Sequence, residues 1–451
     1  MSELGSVVER IINEAKVGEG IEAYAAIGAD NEIRVYDGEV ESLSSASSAG
    51  IGVRVLLDGD DGSRSGFAWA GSLDDDAVGR ALADARENAT FASPDPMVVL
   101  ATPDGFAPRA VPLAAPDFSA MSMDNKIALA LELEALTRSG DSRVRQVDAA
   151  DYGDSEVEIA LASTTGIRSR TERTSAYLSV AALAGDDGET QTGSGFSVGR
   201  SPSELDASAA SRDAVERSVR MLGATKASSG RSTVVFDPRV ASTILSVIAG
   251  ALSGEAVVKG RSFFEGRLGE QVAATGVTLV DDPTDERAYG AAAIDGEGLA
   301  CRRNLLIDDG VLVTFVYDTV AARRAGTVST GSAVRGGYAG TPGAGCRAVV
   351  LQPGSEGAEE ILAQVGDGVF IQSITGVHSG VSPVSGDFSV GAEGLMIRDG
   401  RLAEPLREFT IASTLQRMLQ SIEAIGSDLT WLPGVAAGQT LAIGDLQISG
   451  T

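Results

Sequence analysis

Histidine, cysteine and lysine are scarce in this sequence of 451 residues, and each scarcity excludes a class of site. The chain has one histidine, His378, and two cysteines, Cys301 and Cys346. Because catalytic zinc sites generally use two or three histidine ligands, and structural sites four cysteine or histidine ligands, this chain alone cannot build either. So few cysteines also exclude a disulfide scaffold, which favours a reducing compartment. No lysine follows a glycine, and this excludes a Walker phosphate loop.

Long apolar runs and basic residues are also missing. No apolar stretch approaches the ~18 residues of a membrane-spanning helix, and the N-terminus lacks the basic and apolar regions of a signal peptide. The 36 basic and 63 acidic residues give a net charge of −27, which opposes binding to nucleic acid or to an anionic membrane. We therefore expect a cytoplasmic protein with no nucleic-acid or membrane partner.

The sequence does contain many glycines (55) among 43% hydrophobic residues, which indicates a globular protein with many turns. The pattern predicts an α+β fold in three parts: an N-terminal α+β domain over 1–95, a central α+β domain over 119–228 and a C-terminal domain over 229–451. Residues 96–118 form a predicted linker, because six of the 14 prolines lie within 92–118. We expect antiparallel sheets and a large, mixed, strand-rich C-terminal domain.

In the N-terminal domain, the spacing of apolar residues predicts a helix over 3–18 and a second helix over 74–89, with Ser72 as its N-cap. Between them the period changes to two, with turns predicted at Ala29–Asn31 and Asp37-Gly38. Strands this close together form an antiparallel meander, because a parallel crossover needs a dozen or more residues. The predicted strands are 21–28, 31–37, 39–46, 51–57 and 65–70.

The sharpest local signal opens the C-terminal domain. The strand Thr233–Phe236 runs into Asp237-Pro238, an N-cap followed by proline at the first helical position, and the helix ends at Ser253-Gly254. Further on, Asp309-Gly310 and Asp399-Gly400 predict hairpin turns between short strands. The central domain is predicted to contain a helix at 123–138, strands at 143–150, 155–163 and 167–184, an acidic glycine-rich loop at 185–199 and a helix at 204–222.

Three local patterns could carry chemistry. The string 195–199 matches G-x-S-x-G, but it lacks the strand-turn-helix context of a nucleophile elbow, and we interpret it as a chance match. His378 lies in a glycine-flanked loop before Asp387, where it could be a general base, a substrate contact, or a histidine that satisfies backbone groups. A triad of His378, Asp387 and a serine stays open on the sequence alone. Cys301 and Cys346 have no adjacent His or Lys to stabilise a thiolate, and we predict buried, inert thiols.

Several longer strings resemble one known family, in matching order along nearly the whole chain. They are Val35–Ser42 followed by Gly50–Val55, Val235–Pro238 with Leu252–Ala256, Gly276–Asp282, Asp295–Gly298 with Leu306–Gly310, and His378–Ser389. Together they resemble the TldD/PmbA family, called modulators of DNA gyrase, and the last string is typical of its PmbA (TldE) branch. The resemblance implies the three-part architecture of that family.

The resemblance also implies a division of labour between two subunits. In the TldD branch, a zinc-type metallopeptidase carries a His-Glu-x-x-x-His helix and a later cysteine ligand, and it pairs with a PmbA/TldE partner as a heterodimer. Here the equivalent helix end reads Leu252-Ser253-Gly254-Glu255-Ala256-Val257-Val258-Lys259, without either histidine, and no cysteine stands near Gly376. This implies a non-catalytic TldE-type subunit that holds no metal, with Ser253, Gly254 and Glu255 at the degenerate metal-motif position and zinc in a TldD-like partner.

The same resemblance implies that His378, Ser379, Gly380 and Asp387 lie near a substrate that the partner cleaves. The string Gly193–Ser197 departs from the family pattern, so a peptide and a small amide both stay open as the substrate. Two other classes of function stay open as well. One is a regulatory binding protein of the gyrase-modulator or antitoxin type, and the other is a metal-independent hydrolase that uses His378.

Overall fold

A computed structural model describes residues 3–186 and 188–450, in which helices pack on long, mainly antiparallel strands. The predicted α+β class is therefore confirmed. Within those residues, no helix is both long and apolar enough to cross a membrane.

One six-stranded antiparallel sheet occupies the first half of the chain. Its strands are β1 (Glu19–Tyr36), β2 (Glu39–Leu57), β3 (Arg64–Ala70), β4 (Val144–Ser163), β5 (Arg168–Asp186) and β6 (Glu189–Gly199). They lie in the order β3-β2-β1-β4-β5-β6, so β1 pairs with β2 on one side and with β4 on the other. The sheet thus continues through the predicted N-terminal and central domains, whose boundaries stay predictions.

The hairpin between β1 and β2 is built by its two turn residues. Asp37 and Gly38 both have positive φ, 54° and 79°, which a two-residue type I′ turn requires. The pairs Asp309-Gly310 and Asp399-Gly400 adopt the same left-handed conformation. All three predicted hairpin turns are confirmed.

The turn predicted at Ala29–Asn31 is wrong, because β1 continues through these residues. Asp30 is paired with Ala46 on one neighbouring strand and with Ser155 on the other. Pairing on both sides satisfies the backbone and outweighs the local turn preference of Asp and Asn. For the same reason β4 joins two predicted strands into one.

Helices pack on this sheet in two pairs. α1 (Glu3–Asn13) and α2 (Asp75–Phe91) share an apolar cluster with β1 and β2, whereas α3 (Met123–Ser139) and α4 (Ala207–Val219) share another with β4 and β5. The N-cap of α2 is Asp74, whose Oδ1 accepts a hydrogen bond from Ala77 N at 2.8 Å. The prediction that Ser72 is the N-cap is wrong. The Ser72 hydroxyl donates a hydrogen bond to the carboxylate of Asp74 and so orients the residue that caps the helix.

The prediction of a loop at 185–199 is wrong for most of these residues, because Glu189–Gly199 forms β6. Asp187 lies outside the described residues. The glycines that suggest a loop are contact points between this strand and α4: a Cβ on Gly195 would collide with the backbone of Ala210. Glycine in a strand commonly marks such a close approach, and here it lets the helix cover the sheet.

The C-terminal part builds a second large sheet that closes on itself, and two smaller sheets. The strands of the C-terminal part are β7 (Thr225–Lys226), β8 (Gly230–Phe236), β9 (Leu279–Asp281), β10 (Asn304–Asp308), β11 (Val311–Leu312), β12 (Ala333–Val334), β13 (Gly343–Ala344), β14 (Val349–Leu351), β15 (Gly368–Thr375), β16 (Asp387–Arg398), β17 (Arg401–Thr414), β18 (Ile422–Ile425) and β19 (Leu441–Ser449). In the large sheet the strands lie in the order β18-β19-β8-β15-β16-β17-β7. A further pairing of β19 with β17 closes β19, β8, β15, β16 and β17 into a barrel.

The helices of this part are α5 (Pro238–Ala251), α6 (Gly254–Val258), α7 (Thr319–Ala325), α8 (Ala358–Val365), α9 (Val377–Gly380) and α10 (Leu415–Gln420). The longest, α5, contributes Val240, Ile244, Leu245 and Ile248 to the main apolar cluster, together with strands of the barrel. A smaller sheet, in the order β11-β10-β9-β14, supports the other side of that cluster.

Candidate functional site

The degenerate metal-motif position lies at the end of α5. As predicted, Asp237 caps this helix: its Oδ1 accepts a hydrogen bond from Arg239 N at 2.9 Å, and Pro238 occupies the first turn. The helix ends at Ala251, and after a short turn α6 begins. We call residues 252–259 the α5–α6 corner.

The corner is held against the segment before α7 by close backbone contacts. Gly254 N donates a hydrogen bond to Val316 O at 2.7 Å, and a Cβ on Gly254 would collide with the ring of Tyr317. The hydroxyl of Ser253 donates to Ala344 O at 2.8 Å. Two of the three residues at the motif position therefore serve to hold the fold together.

A cavity of about 480 Å³ opens beside the corner. Three charged side chains line it, and two of them, Glu255 and Lys259, form an ion pair with each other; the third is Arg261. Burial raises the pKa of the Cys346 thiol, which keeps it protonated. The rest of the lining is Ser246, Ala249, Gly250, Ser253, Ala256, Ala344, Gly345 and Val435.

This lining does not fit a catalytic zinc ion, which takes three protein ligands from histidine, cysteine or carboxylate side chains. The corner offers one carboxylate, Glu255, and that group is already paired with Lys259. The positive charges of Lys259 and Arg261 would also repel a cation. Across residues 3–186 and 188–450, no group of three or more His, Cys, Asp or Glu side chains is placed to hold a metal ion.

Three of the predicted substrate-proximal residues lie together on α9. His378 and Ser379 are exposed, and Gly380 ends this short helix. The hydroxyl of Ser379 donates to Gly376 O at 3.2 Å, and Gly376 itself has a φ of 78°. The His378 ring makes no hydrogen bond to any residue that the structure describes.

Asp387, the fourth predicted residue, has a different partner. Its carboxylate accepts a hydrogen bond from Ser385 Oγ at 2.7 Å, so no Ser-His-Asp relay is formed among the described residues. The same segment is tied to the residues after α6, because Phe263 N donates to Pro383 O at 3.2 Å. The loop that follows α9 and the segment that follows the α5–α6 corner are therefore joined by a backbone hydrogen bond.

The other sequence candidates are structural. Ser197 lies within β6, and its Oγ accepts a hydrogen bond from Asp206 N at 3.0 Å, just before α4. No sharp strand-to-helix turn exposes it, which agrees with a chance match to G-x-S-x-G. Cys301 and Cys346 are free and buried, as predicted, and burial raises the pKa of Cys301 to about 12.

Sequence reasoning missed a buried group of charges between the first sheet and the C-terminal part. The carboxylate of Glu22 pairs with Arg54 (Oε2 to Nη2, 3.0 Å) and with Arg335 (Oε1 to Nη2, 2.5 Å). Burial alone would raise the pKa of Glu22, but the two guanidiniums outweigh it and hold this pKa below its usual value. A signal was available: Glu22 and Arg54 are each flanked by apolar residues in their strands.

A second buried carboxylate, Glu297, stands beside this group. Burial raises its pKa to about 8; Arg54 opposes this shift, and the nearby carboxylates of Asp295 and Asp318 add to it. Glu297 Oε2 accepts hydrogen bonds from Thr319 N at 3.0 Å and from Thr319 Oγ1 at 2.7 Å. Glu297 is therefore protonated at neutral pH, in contrast to Glu22.

Sequence comparison gives the class of protein to which this fold and this corner belong. Residues 21–89 match domain 1 of the PmbA/TldA metallopeptidases, 116–222 match their central domain and 229–450 match their C-terminal domain. The chain belongs to the PmbA/TldD family, and the predicted family is confirmed.

Relatives named for both branches are similar to this chain. Metalloprotease PmbA from Escherichia coli O157:H7 is 26% identical over 416 residues, covering 92% of this chain and 88% of its own length. A metalloprotease TldD homolog from Haemophilus influenzae is 26% identical over 441 residues, covering 93% and 89%. The crystal structure of TldE from Thermococcus kodakarensis has the same fold, with a TM-score of 0.87, 24% identity and 99% of each chain covered.

Proposed function

We propose that this chain is the non-catalytic, TldE-type subunit of a heterodimer whose other subunit is a TldD-like zinc metallopeptidase. The observation that carries the proposal is the α5–α6 corner. Ser253 and Gly254 hold the fold there, and Glu255 is neutralised by Lys259. Under this proposal the partner holds the zinc ion, and bond cleavage takes place on the partner.

This subunit would then contribute surface to a shared substrate chamber. The segment that follows the corner and the loop that follows α9 are joined by the backbone hydrogen bond between Phe263 and Pro383, and in the proposed complex both would border the chamber. His378 is exposed on that segment and has no hydrogen-bond partner among the described residues. We assign it a role in contacting or enclosing the substrate, which is a peptide or a small amide.

An extended peptide also needs a strand edge to pair with, because backbone pairing gives affinity without much sequence preference. The outer edge of β2 offers one. Residues 51–57 of β2 pair with β3, whereas residues 39–50 pair with β1 alone among the described strands. From Glu39 to Ser48 every residue is exposed, and the segment carries neither proline nor lysine to block pairing.

Co-expression with a TldD-like protein from the same genome tests the proposal. We expect the two chains to co-purify in equal amounts and to cleave peptide or amide substrates only when both are present. We also expect the complex to be found in the cytoplasm. A chain that binds no TldD-like partner but captures another protein would instead indicate a regulatory binding protein. Amide hydrolysis by the chain alone, unaffected by chelators, would indicate a hydrolase.

A further inference from the structure

A second cavity, of about 590 Å³, lies where three parts of the chain meet. One wall is the proline-rich arm at 112–117, and the second is formed by β5 at 173–175 and by the end of β6 with Arg200. Residues 286–289 and Trp431 form the third wall. We call it the arm cavity. Its lining shares no residue with the cavity beside the α5–α6 corner.

The walls of the arm cavity are fixed by hydrogen bonds to Thr174. Its backbone N donates to Leu113 O at 3.0 Å, and its hydroxyl donates to Arg200 O at 2.6 Å. The same hydroxyl accepts a hydrogen bond from Ala115 N at 2.9 Å. Thr174 therefore ties the arm to β5 and to the residue that follows β6, and the cavity is a built feature of the fold.

Two arginines line this cavity without a carboxylate partner. Arg173 donates to the backbone carbonyls of Tyr289, at 3.2 Å, and of Ala291, and Arg200 donates to Ala288 O at 3.2 Å. Neither guanidinium forms an ion pair with a residue that the structure describes. Burial, reinforced by the positive charges of Arg200 and Arg347, lowers the pKa of Arg173 to about 10.

Two arginines without a carboxylate partner are unusual in a chain with 63 acidic and 36 basic residues. The buried arginines of the other interdomain contact, Arg54 and Arg335, share the carboxylate of Glu22. The guanidiniums of Arg173 and Arg200 donate only to neutral carbonyls, and their planar donors match an oxyanion. The carboxylate of Glu204 acts electrostatically on Arg200 but forms no ion pair with it among the described residues. An anion between the two guanidiniums would supply the ion-pair partner that neither has among the described residues.

The other residues that line the cavity indicate which kind of anion it would bind. Apolar and aromatic groups, including Val198, Tyr289 and Trp431, form much of the wall, and the Trp431 Nε1 is a buried donor without a partner among the described residues. The exposed carboxylates of Asp117, Glu204 and Glu286 also line the cavity and would repel a second negative charge. The lining thus favours a monoanion on an apolar body over phosphate.

We infer that the arm cavity binds a small molecule that carries one carboxylate on an apolar or aromatic body, with the carboxylate between Arg173 and Arg200. This is a binding site separate from the proposed peptidase function. Binding at this site would need neither a partner subunit nor a metal ion, so it can be tested on the isolated full-length chain.

Isothermal titration calorimetry with 3-phenylpropionate is the direct test, with 3-phenyl-1-propanol and inorganic phosphate as matched probes. We expect the acid to bind and the alcohol and phosphate to bind at least about tenfold more weakly, because hydrogen bonds to a charged group contribute strongly. Arg200→Met should weaken binding of the acid by at least about tenfold. Arg398→Met, which removes an exposed arginine paired with Glu404 elsewhere, should leave binding unchanged.

Arg173→Met provides a second variant, and thermal unfolding of each variant shows whether it is folded before titration. A folded Arg200→Met or Arg173→Met protein that binds the acid like the parent would overturn the inference. So would equal binding of the alcohol, binding of phosphate in preference to the acid, or no binding of the acid up to about 10 mM.

Discussion

Glu22 in β1 lies directly opposite Arg54 in β2, and their side chains form a buried ion pair with 3.0 Å between Oε2 and Nη2. The second oxygen of the same carboxylate binds Arg335, which is 313 residues further along the chain. One carboxylate thus pairs with two guanidiniums and ties the first sheet to the C-terminal part.

Replacing this carboxylate should destabilise the protein strongly. Glu22→Gln keeps the shape of the side chain but leaves Arg54 and Arg335 buried without a counter-charge, and such a loss typically costs ~3–5 kcal/mol. We expect a decrease of that size in the free energy of unfolding, measured by urea denaturation. Glu404→Gln, which removes an exposed ion pair with Arg398, is the matched control and should change the free energy of unfolding little. Equal stability of the two variants would contradict the role assigned to Glu22.

Glu297 should make stability depend on pH. Its pKa is about 8 in the folded protein and near 4.5 when exposed, so between these values the folded state holds a proton that the unfolded state releases. The free energy of unfolding therefore falls as pH rises through this window, by up to ~1.4 kcal/mol per pH unit from this group. Above the folded-state pKa the dependence on this group ends.

Glu297→Gln retains an oxygen for Thr319 and removes the titration. We expect the free energy of unfolding of this variant to fall less steeply than that of the parent between about pH 6 and pH 8, measured by urea denaturation at each pH. Glu404→Gln, at an exposed position, should keep the parental slope. An unchanged slope in Glu297→Gln would show that Glu297 does not carry the proton.

His378 should have a modest effect on turnover by the proposed complex. Losing one neutral hydrogen bond costs ~0.5–1.5 kcal/mol, which corresponds to a roughly three- to twelvefold effect if it is expressed in the transition state. We therefore expect His378→Ala to lower kcat/KM of the co-purified complex by no more than about tenfold. Removal of a general base would cost ~10²–10⁴-fold, so a loss of about 10³-fold with assembly intact would favour the hydrolase.

Ser197 should not act in catalysis. It lies inside β6 and accepts a hydrogen bond from Asp206 N, so Ser197→Ala removes a structural contact ahead of α4. We expect unchanged kcat/KM in the complex and a small drop in thermal stability. A loss of turnover by several orders of magnitude would instead identify Ser197 as a nucleophile.

Features with a local cause could be predicted from the sequence. Asp37-Gly38 forms a type I′ turn because both residues tolerate positive φ, and Asp237-Pro238 starts α5 because the cap and the fixed φ act within one turn. The strings that resemble the family also predicted the motif position next to this helix: Ser253 follows the end of α5, and Glu255 lies in α6.

Features with a long-range cause could not be predicted. Asp30 extends β1 because strands from two other parts of the chain pair with it, and Gly195 belongs to a strand because α4 packs against it. The contacts of Arg335 with Glu22 and of Arg173 with Tyr289 join residues far apart in sequence. Periodicity in one segment carries no information about such partners.

The measurement that tests the proposed subunit role most directly is the zinc content and amidase activity of the isolated chain, the isolated partner and the co-purified complex. We predict no stoichiometric zinc and no activity in the isolated chain, and one zinc ion per heterodimer in an active complex that chelators inactivate. About one tightly bound metal ion in the isolated chain, or chelator-resistant hydrolysis by it, would contradict the proposal.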